Sequence, residues 1–196
     1  IAALSCLAHG DSAHRAPALA AFEERWRGET LVMNKWLSVQ ATAKRPNTLE
    51  VVEGLMSHEA FKVETPNCVY ALINTFANAN LARFHAEGGE GYRFLATQVT
   101  RIDAINPMVA ARIVTPLTHW RRYGEARGAL MRAELEAIMA RESWSALRTM
   151  VTPCAEPLLA GFTTTGSAND AATVLRTPSA SSSLKVSFGK VIEAGV

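Results

Sequence analysis

The stretch Leu19-Ala20-Ala21-Phe22-Glu23-Glu24-Arg25-Trp26, followed by Leu31-Val32-Met33-Asn34-Lys35-Trp36-Leu37-Ser38-Val39, decides the fold class. Leu19, Phe22 and Trp26 recur at steps of three and four, the period that gathers side chains on one face of an α-helix. The same spacing continues through Trp36 and Val39 to Leu55 and, with interruptions, from about Ala16 to Met139. The interruptions carry their own chemistry. Asn47-Thr48 before Leu49, Thr65-Pro66-Asn67 before Val69 and Asn106-Pro107 before Val109 each supply a capping side chain or a proline where a helix starts. Gly88-Gly89-Glu90-Gly91 ahead of Tyr92, and Tyr123-Gly124, break the pattern and read as helix-to-helix turns, where glycine tolerates a positive φ.

No alternating strand pattern lies between these segments. The expected fold is all-α: an irregular α-solenoid, ARM/HEAT-like, of stacked antiparallel helix pairs without a repeat of fixed length. Residues 1–142 form the expected helical domain. From Ser143 to Val196 the character changes: Thr163-Thr164-Thr165 and Ser181-Ser182-Ser183 are polar runs, and Pro153, Pro157 and Pro178 interrupt any long helix. This divergent tail, residues 143–196, is expected to be poorly ordered, with Leu184 to Phe188 as a lone alternating segment.

The chain has 196 residues, 48% of them hydrophobic and 19% charged, enough apolar surface for one domain with a sizeable core. Its formal net charge of +2 is too small to mark a nucleic-acid binder. Cys6, Cys68 and Cys154 lie far apart without C-x-x-C spacing, which predicts reduced thiols in an intracellular compartment rather than a disulfide framework or thiolate zinc site. The longest nearly apolar run, Val151 to Phe162, falls short of the roughly 20 residues of a membrane span, so a soluble protein is expected. The start at Ile1, without a charged and then apolar leader, reads as an interior cut in a longer chain.

Few residues offer chemistry. His58-Glu59 opens H-E-x-x-H, but Lys62 stands where the second histidine belongs, and an ammonium cannot replace an imidazole ligand. His9, His14, His85 and His119 are scattered, and the glycine turn lacks the lysine and hydroxyl of a phosphate-binding loop. No serine sits in a G-x-S-x-G elbow. Neither catalytic residues nor metal ligands are therefore expected within this chain. His119-Trp120-Arg121-Arg122-Tyr123, with Arg127 and Arg132, interleaves aromatics and cations in a way that could track a phosphate backbone. It also reads as a helix end, Trp120 and Tyr123 packed inward and the arginines meeting the helix dipole, Glu125 or Glu134.

Several collinear blocks add a resemblance. Leu31 to Trp36, Asn67 to Phe76, Phe84-His85-Ala86 running to Gly91-Tyr92-Arg93-Phe94-Leu95, Asn106-Pro107 to Arg112, and Trp120-Arg121-Arg122-Tyr123 together resemble the C-terminal helical domain of aminopeptidase N of the bacterial and plant type. The likeness covers about Ala18 to Arg141. It implies a parent enzyme with a zinc exopeptidase domain, carrying G-A-M-E-N and H-E-x-x-H motifs absent here, and a small β domain as partners of this one. The helical domain would close over the catalytic chamber and restrict access to peptides and unfolded chain ends, in the cytoplasm or a plastid. The family pattern N-P-Q-V-A-S-R is matched by Asn106-Pro107-Met108-Val109-Ala110-Ala111-Arg112, so the resemblance makes Arg112 a cleft-facing arginine, while Met108 and Ala111 replace polar residues. Tyr70 falls where bacterial relatives often carry another cleft arginine and plant relatives a tyrosine. The implied substrate-binding residues are thus Arg112, Tyr70 and Met108, with zinc in the parent's catalytic domain and none in this chain. A second reading stays open, a free-standing helical-repeat interaction module binding RNA through Arg121, Arg122, Arg127 and Arg132.

Overall fold

Among the described residues, prolines open three helices and one of these also has a side-chain cap, whereas Asn47, ahead of the helix that starts at Thr48, makes no capping hydrogen bond. The computed structural model describes residues 1–140, and the tail 143–196 lies outside them. In chain order the elements are α1 (Ala2–His9), α2 (Arg15–Trp26), α3 (Thr30–Ala41), α4 (Thr48–Leu55), α5 (Pro66–Val69), a π-helical segment (Tyr70–Asn74), α6 (Thr75–Ala79), α7 (Leu81–Phe84), α8 (Glu90–Asp103), α9 (Pro107–Ile113), α10 (Thr115–Thr118), a 3₁₀ turn (Trp120–Arg122) and α11 (Glu125–Met139). There is no strand among the described residues, and the fold is the expected all-helical solenoid. Asn106 Oδ1 accepts the Val109 N–H at 3.2 Å, and Pro66 and Pro107 open α5 and α9, where a missing N–H costs nothing. α1 lies upstream of the periodic stretch and is too short for its period to be read.

Hydrogen bonds from three side chains show how the helices stack. Trp36 Nε1 donates to Leu19 O at 3.1 Å and ties α3 to α2 inside the core. Ser38 Oγ donates to Ala71 O at 2.9 Å, and Asn80 Nδ2 donates to Ala41 O at 2.9 Å and Ala43 O at 2.8 Å. These contacts advance along both segments in the same direction, so α3 and the helix from Pro66 to Ala79 run parallel and pack directly on each other, with α4 between them in the chain. Asn80 meets two carbonyls at the buried end of α3, where no helical N–H is left to reach them. Phe76, Phe84, Tyr92 and Phe94 fill the next layer edge-to-face, Phe84 to Tyr92 at 5.3 Å and Phe76 to Phe94 at 5.7 Å.

The glycine turn separates into two physical roles. Gly89 has φ +68° and starts α8 from the left-handed region, as the turn reading requires. Gly91 sits inside α8 for a different reason: a Cβ there would lie 2.4 Å from Phe84 O and 2.8 Å from Phe84 Cα. Both are backbone atoms, so α7 and α8 would have to move apart. Gly91→Ala gains about 1 kcal/mol of helix propensity, but the overpacking should cost more. We expect a net loss of ~2 kcal/mol and a Tm lowered by roughly 5–10 °C in a thermal melt. A Tm equal to or above that of the parent chain would show that the two helices are not held this close.

His85 joins this layer to the last helix. Its Nδ1 lies 2.8 Å from Tyr92 Oη, its ring stacks on Tyr123 at 4.3 Å, and its carbonyl accepts from Arg127 Nε at 3.1 Å. Burial first, and the Arg127 charge second, hold the imidazole below its ordinary pKa of 6.5, while burial pushes the Tyr92 hydroxyl up. The fold therefore favours the neutral imidazole of His85, with Nδ1 and the Tyr92 hydroxyl sharing a hydrogen bond. As pH falls through 6.5 the unfolded chain binds a proton that the folded chain resists, so stability is full above that pH and declines below it. Urea midpoints measured from pH 8 to pH 5 should show this decline, and His85→Gln should flatten it. An identical pH slope in the variant would mean that other groups carry the effect.

Candidate substrate-facing site

The helix from Pro66 to Ala79 has no internal glycine or proline, yet its middle turn, Tyr70–Asn74, widens to π geometry. Widening a turn shifts the carbonyls out of the usual register, and hydroxyls meet two of them. Thr75 Oγ1 donates to Tyr70 O at 2.9 Å, and Ser38 Oγ from α3 donates to Ala71 O. Such single π turns recur at functional sites, where they re-aim a side chain without ending the helix. Tyr70 opens this one, half-buried against the core.

α9 packs against both α8 and the π segment that Tyr70 opens. Val109, Ala110 and Ile113 point into the core, whereas Met108 and Arg112 are exposed and, four residues apart, share one face. The Arg112 guanidinium makes no hydrogen bond or ion pair within the described residues. Tyr70, Met108 and Arg112 thus sit on adjoining elements. Asn34 carries no local signal that would single it out. It lies one turn before Ser38 on α3, and its Oδ1 is buried with no donor. An orphan acceptor of this kind costs about 1–3 kcal/mol unless something supplies an N–H or O–H.

The other sequence candidates have structural partners. His58 Nε2 lies 3.3 Å from Glu23 Oε1, its Nδ1 accepts the Ala60 N–H at 3.1 Å, and its ring packs on Trp36 at 5.2 Å, which pins the turn after α4 to α2 and α3. Among the described residues no three His, Cys, Asp or Glu side chains converge closely enough to hold a metal, so they do not fit a zinc ion. The Trp120 region departs from the expected pairing. Arg132 pairs with Glu136 at 2.8 Å rather than with Glu134, Arg127 donates to His85 O, and Arg121 and Arg132 lie 4.8 and 5.8 Å from the Trp120 ring centre. An open groove of about 650 Å³ runs beside Trp120 and α11, and none of Tyr70, Met108 and Arg112 lines it.

Comparison with known proteins agrees with this architecture. The family described as a domain of unknown function (DUF3458_C) with ARM repeats matches residues 1–154, further in both directions than the sequence blocks that carry the likeness. Aminopeptidase N of Caulobacter vibrioides is 49% identical over 131 residues, which cover 67% of this chain and 15% of that protein. Aminopeptidase N of Escherichia coli is 39% identical over 145 residues, 74% of this chain and 17% of that one. Among solved structures, aminopeptidase A of Legionella pneumophila in complex with aspartic acid superposes with a TM-score of 0.74 at 34% identity, over 79% of this chain and 18% of that chain. The chain spans less than a fifth of the length of each of these proteins. Its helical stack, its sequence and its match to ARM repeats agree: the chain belongs to the DUF3458_C family, the helical C-terminal domain of aminopeptidase N.

Proposed function

We propose that this chain is the part of a zinc-dependent aminopeptidase that walls the catalytic chamber and holds peptide substrates there, while a catalytic domain and a small β domain carry out the cleavage. The observation that carries the proposal is the exposed Arg112 guanidinium, which has no partner within the described residues and is carried by α9, the helix that packs on the π segment opened by Tyr70. A guanidinium offers a planar fork of donors that fits a peptide carboxylate or backbone carbonyls. Met108, one turn away, offers flexible apolar contact, and the Tyr70 hydroxyl can both donate and accept. Zinc, bound outside this chain, would polarise the scissile carbonyl and activate water. The residues of this chain bind and orient, and take no proton in the reaction. No helix among the described residues is long and apolar enough to cross a membrane, and Cys6 and Cys68 are free thiols, which suits a reducing cytoplasm or plastid.

Two outcomes follow. Purified alone, the chain should release no amine from aminoacyl anilides with or without added zinc; turnover that survives chelation and zinc readdition would place catalysis inside it. In the full-length enzyme Arg112→Ala should raise KM for tri- and tetrapeptides while sparing kcat and sparing short aminoacyl anilides, which cannot reach the arginine. The loss should be about 1–3 kcal/mol, the range of a charge-assisted hydrogen bond. Because the side chain is exposed, Tm should stay within roughly 1–2 °C of the parent enzyme. Unchanged KM for every peptide would show that Arg112 is a solvent residue only.

A further inference from the structure

We infer that the exposed stripe at the start of α9 selects peptides by their C-terminal residue, taking a free α-carboxylate on Arg112 and a large apolar side chain on Met108 and Ile105. This rests on the proposal that Arg112 faces substrate and adds a substrate class to it. Met108 and Arg112, four residues apart, share one exposed face of α9, and the exposed Ile105 stands just before its cap, whereas Val109 and Ala110 are buried. Ile105 is 44% exposed and Met108 52%. A single exposed apolar side chain is ordinary, but two in succession at one helix start, leading to a cation, make a directional surface.

The charge is as informative as the apolar area. Asp103, the acidic residue nearest in sequence, is buried at the end of α8 and forms no ion pair with Arg112. Asn106, between Ile105 and Arg112, spends its side-chain oxygen on capping α9. The stripe therefore presents one unneutralised cation with apolar surface on one side, starting about one helical turn, roughly 6 Å, away. The complementary group is a carboxylate whose own residue carries an apolar side chain, which describes the last residue of a peptide. An internal Asp or Glu supplies a carboxylate, but its following peptide unit would have to lie against Met108 and lose water without a hydrogen bond.

The test is steady-state kinetics of the full-length enzyme on Ala-Ala-Ala-Leu and Ala-Ala-Ala-Ser, each as free acid and C-terminal amide, with amidated Ala-Ala-Glu-Ala as the side-chain carboxylate. The free acid ending in Leu should have a KM about fivefold below the one ending in Ser, the change expected when roughly 40 Å² of apolar surface leaves water. Combining Ile105→Gln and Met108→Gln should bring that ratio to about one and leave the advantage of acid over amide. Arg112→Gln should remove the acid advantage. If the double variant keeps the Leu preference while Arg112→Gln still raises KM for the acids, the apolar part is wrong and the arginine reading stands. If Arg112→Gln changes no KM, the arginine reading fails and the inference with it. If the amidated Glu peptide depends on Arg112 as strongly as the free acids do, the site takes any carboxylate and terminal selection is overturned.

Discussion

A helix that ends inside a protein leaves carbonyls that water cannot reach, and α3 ends this way. Gln40, Ala41 and Ala43 are buried, and Asn80, itself buried, donates to Ala41 O and Ala43 O from the junction of α6 and α7. The rest of the stack hangs on this closure, because α3 packs against α1, α2, α4, α5, the π segment and α6. Once its end is fixed, the helix from Pro66 to Ala79 can lie only parallel to it. The turn after Asn80 then directs α7 across α8 at the close approach that Gly91 permits. A stack built this way transmits position: α9, two turns of chain further on, is held against α8 and the π segment rather than free to drift.

The widened turn at Tyr70–Asn74 is the counterpart of that rigidity. A π turn costs hydrogen-bond geometry, and this one is supported by Thr75 from within the helix and Ser38 from α3. Ser38 also bonds back to Asn34 O, so the helix that anchors the stack supports the irregular turn beside the site. Helix packing thus sets the elements that carry three side chains, the half-buried Tyr70 and the exposed Met108 and Arg112. A wall that binds and does not react can be built from such residues, since the chemistry asks only for fixed donors and apolar surface.

Much of this architecture was legible in the chain, for physical reasons that differ by element. Leu19 and Trp36 announce a helical period because they are buried at that period, and Asn106-Pro107 announces a start because a cap and a missing N–H act locally. What stayed hidden is non-local. Asn80 looks like one more polar residue after Asn74 and Asn78 until α3 is folded against it. Gly91 looks like part of a flexible turn until Phe84 is seen behind it. The π turn changes only the hydrogen-bond register, which no residue type marks. Within the site, Arg112, Met108 and Tyr70 were found by their likeness to a family pattern, and the pattern says nothing of whether the guanidinium already has a partner. The buried, unmatched oxygen of Asn34 is likewise a property of packing and not of its neighbours in sequence.

The central claim is that this helical wall holds peptide through Arg112. The most direct measurement is a crystal structure of the full-length enzyme with a tetrapeptide whose first peptide bond has been replaced by an uncleavable isostere. A peptide carboxylate or carbonyl oxygen is expected within about 3 Å of the guanidinium, with α9 packed on the π turn. A peptide fully ordered in the chamber, with Arg112 bonded only to solvent, would contradict it.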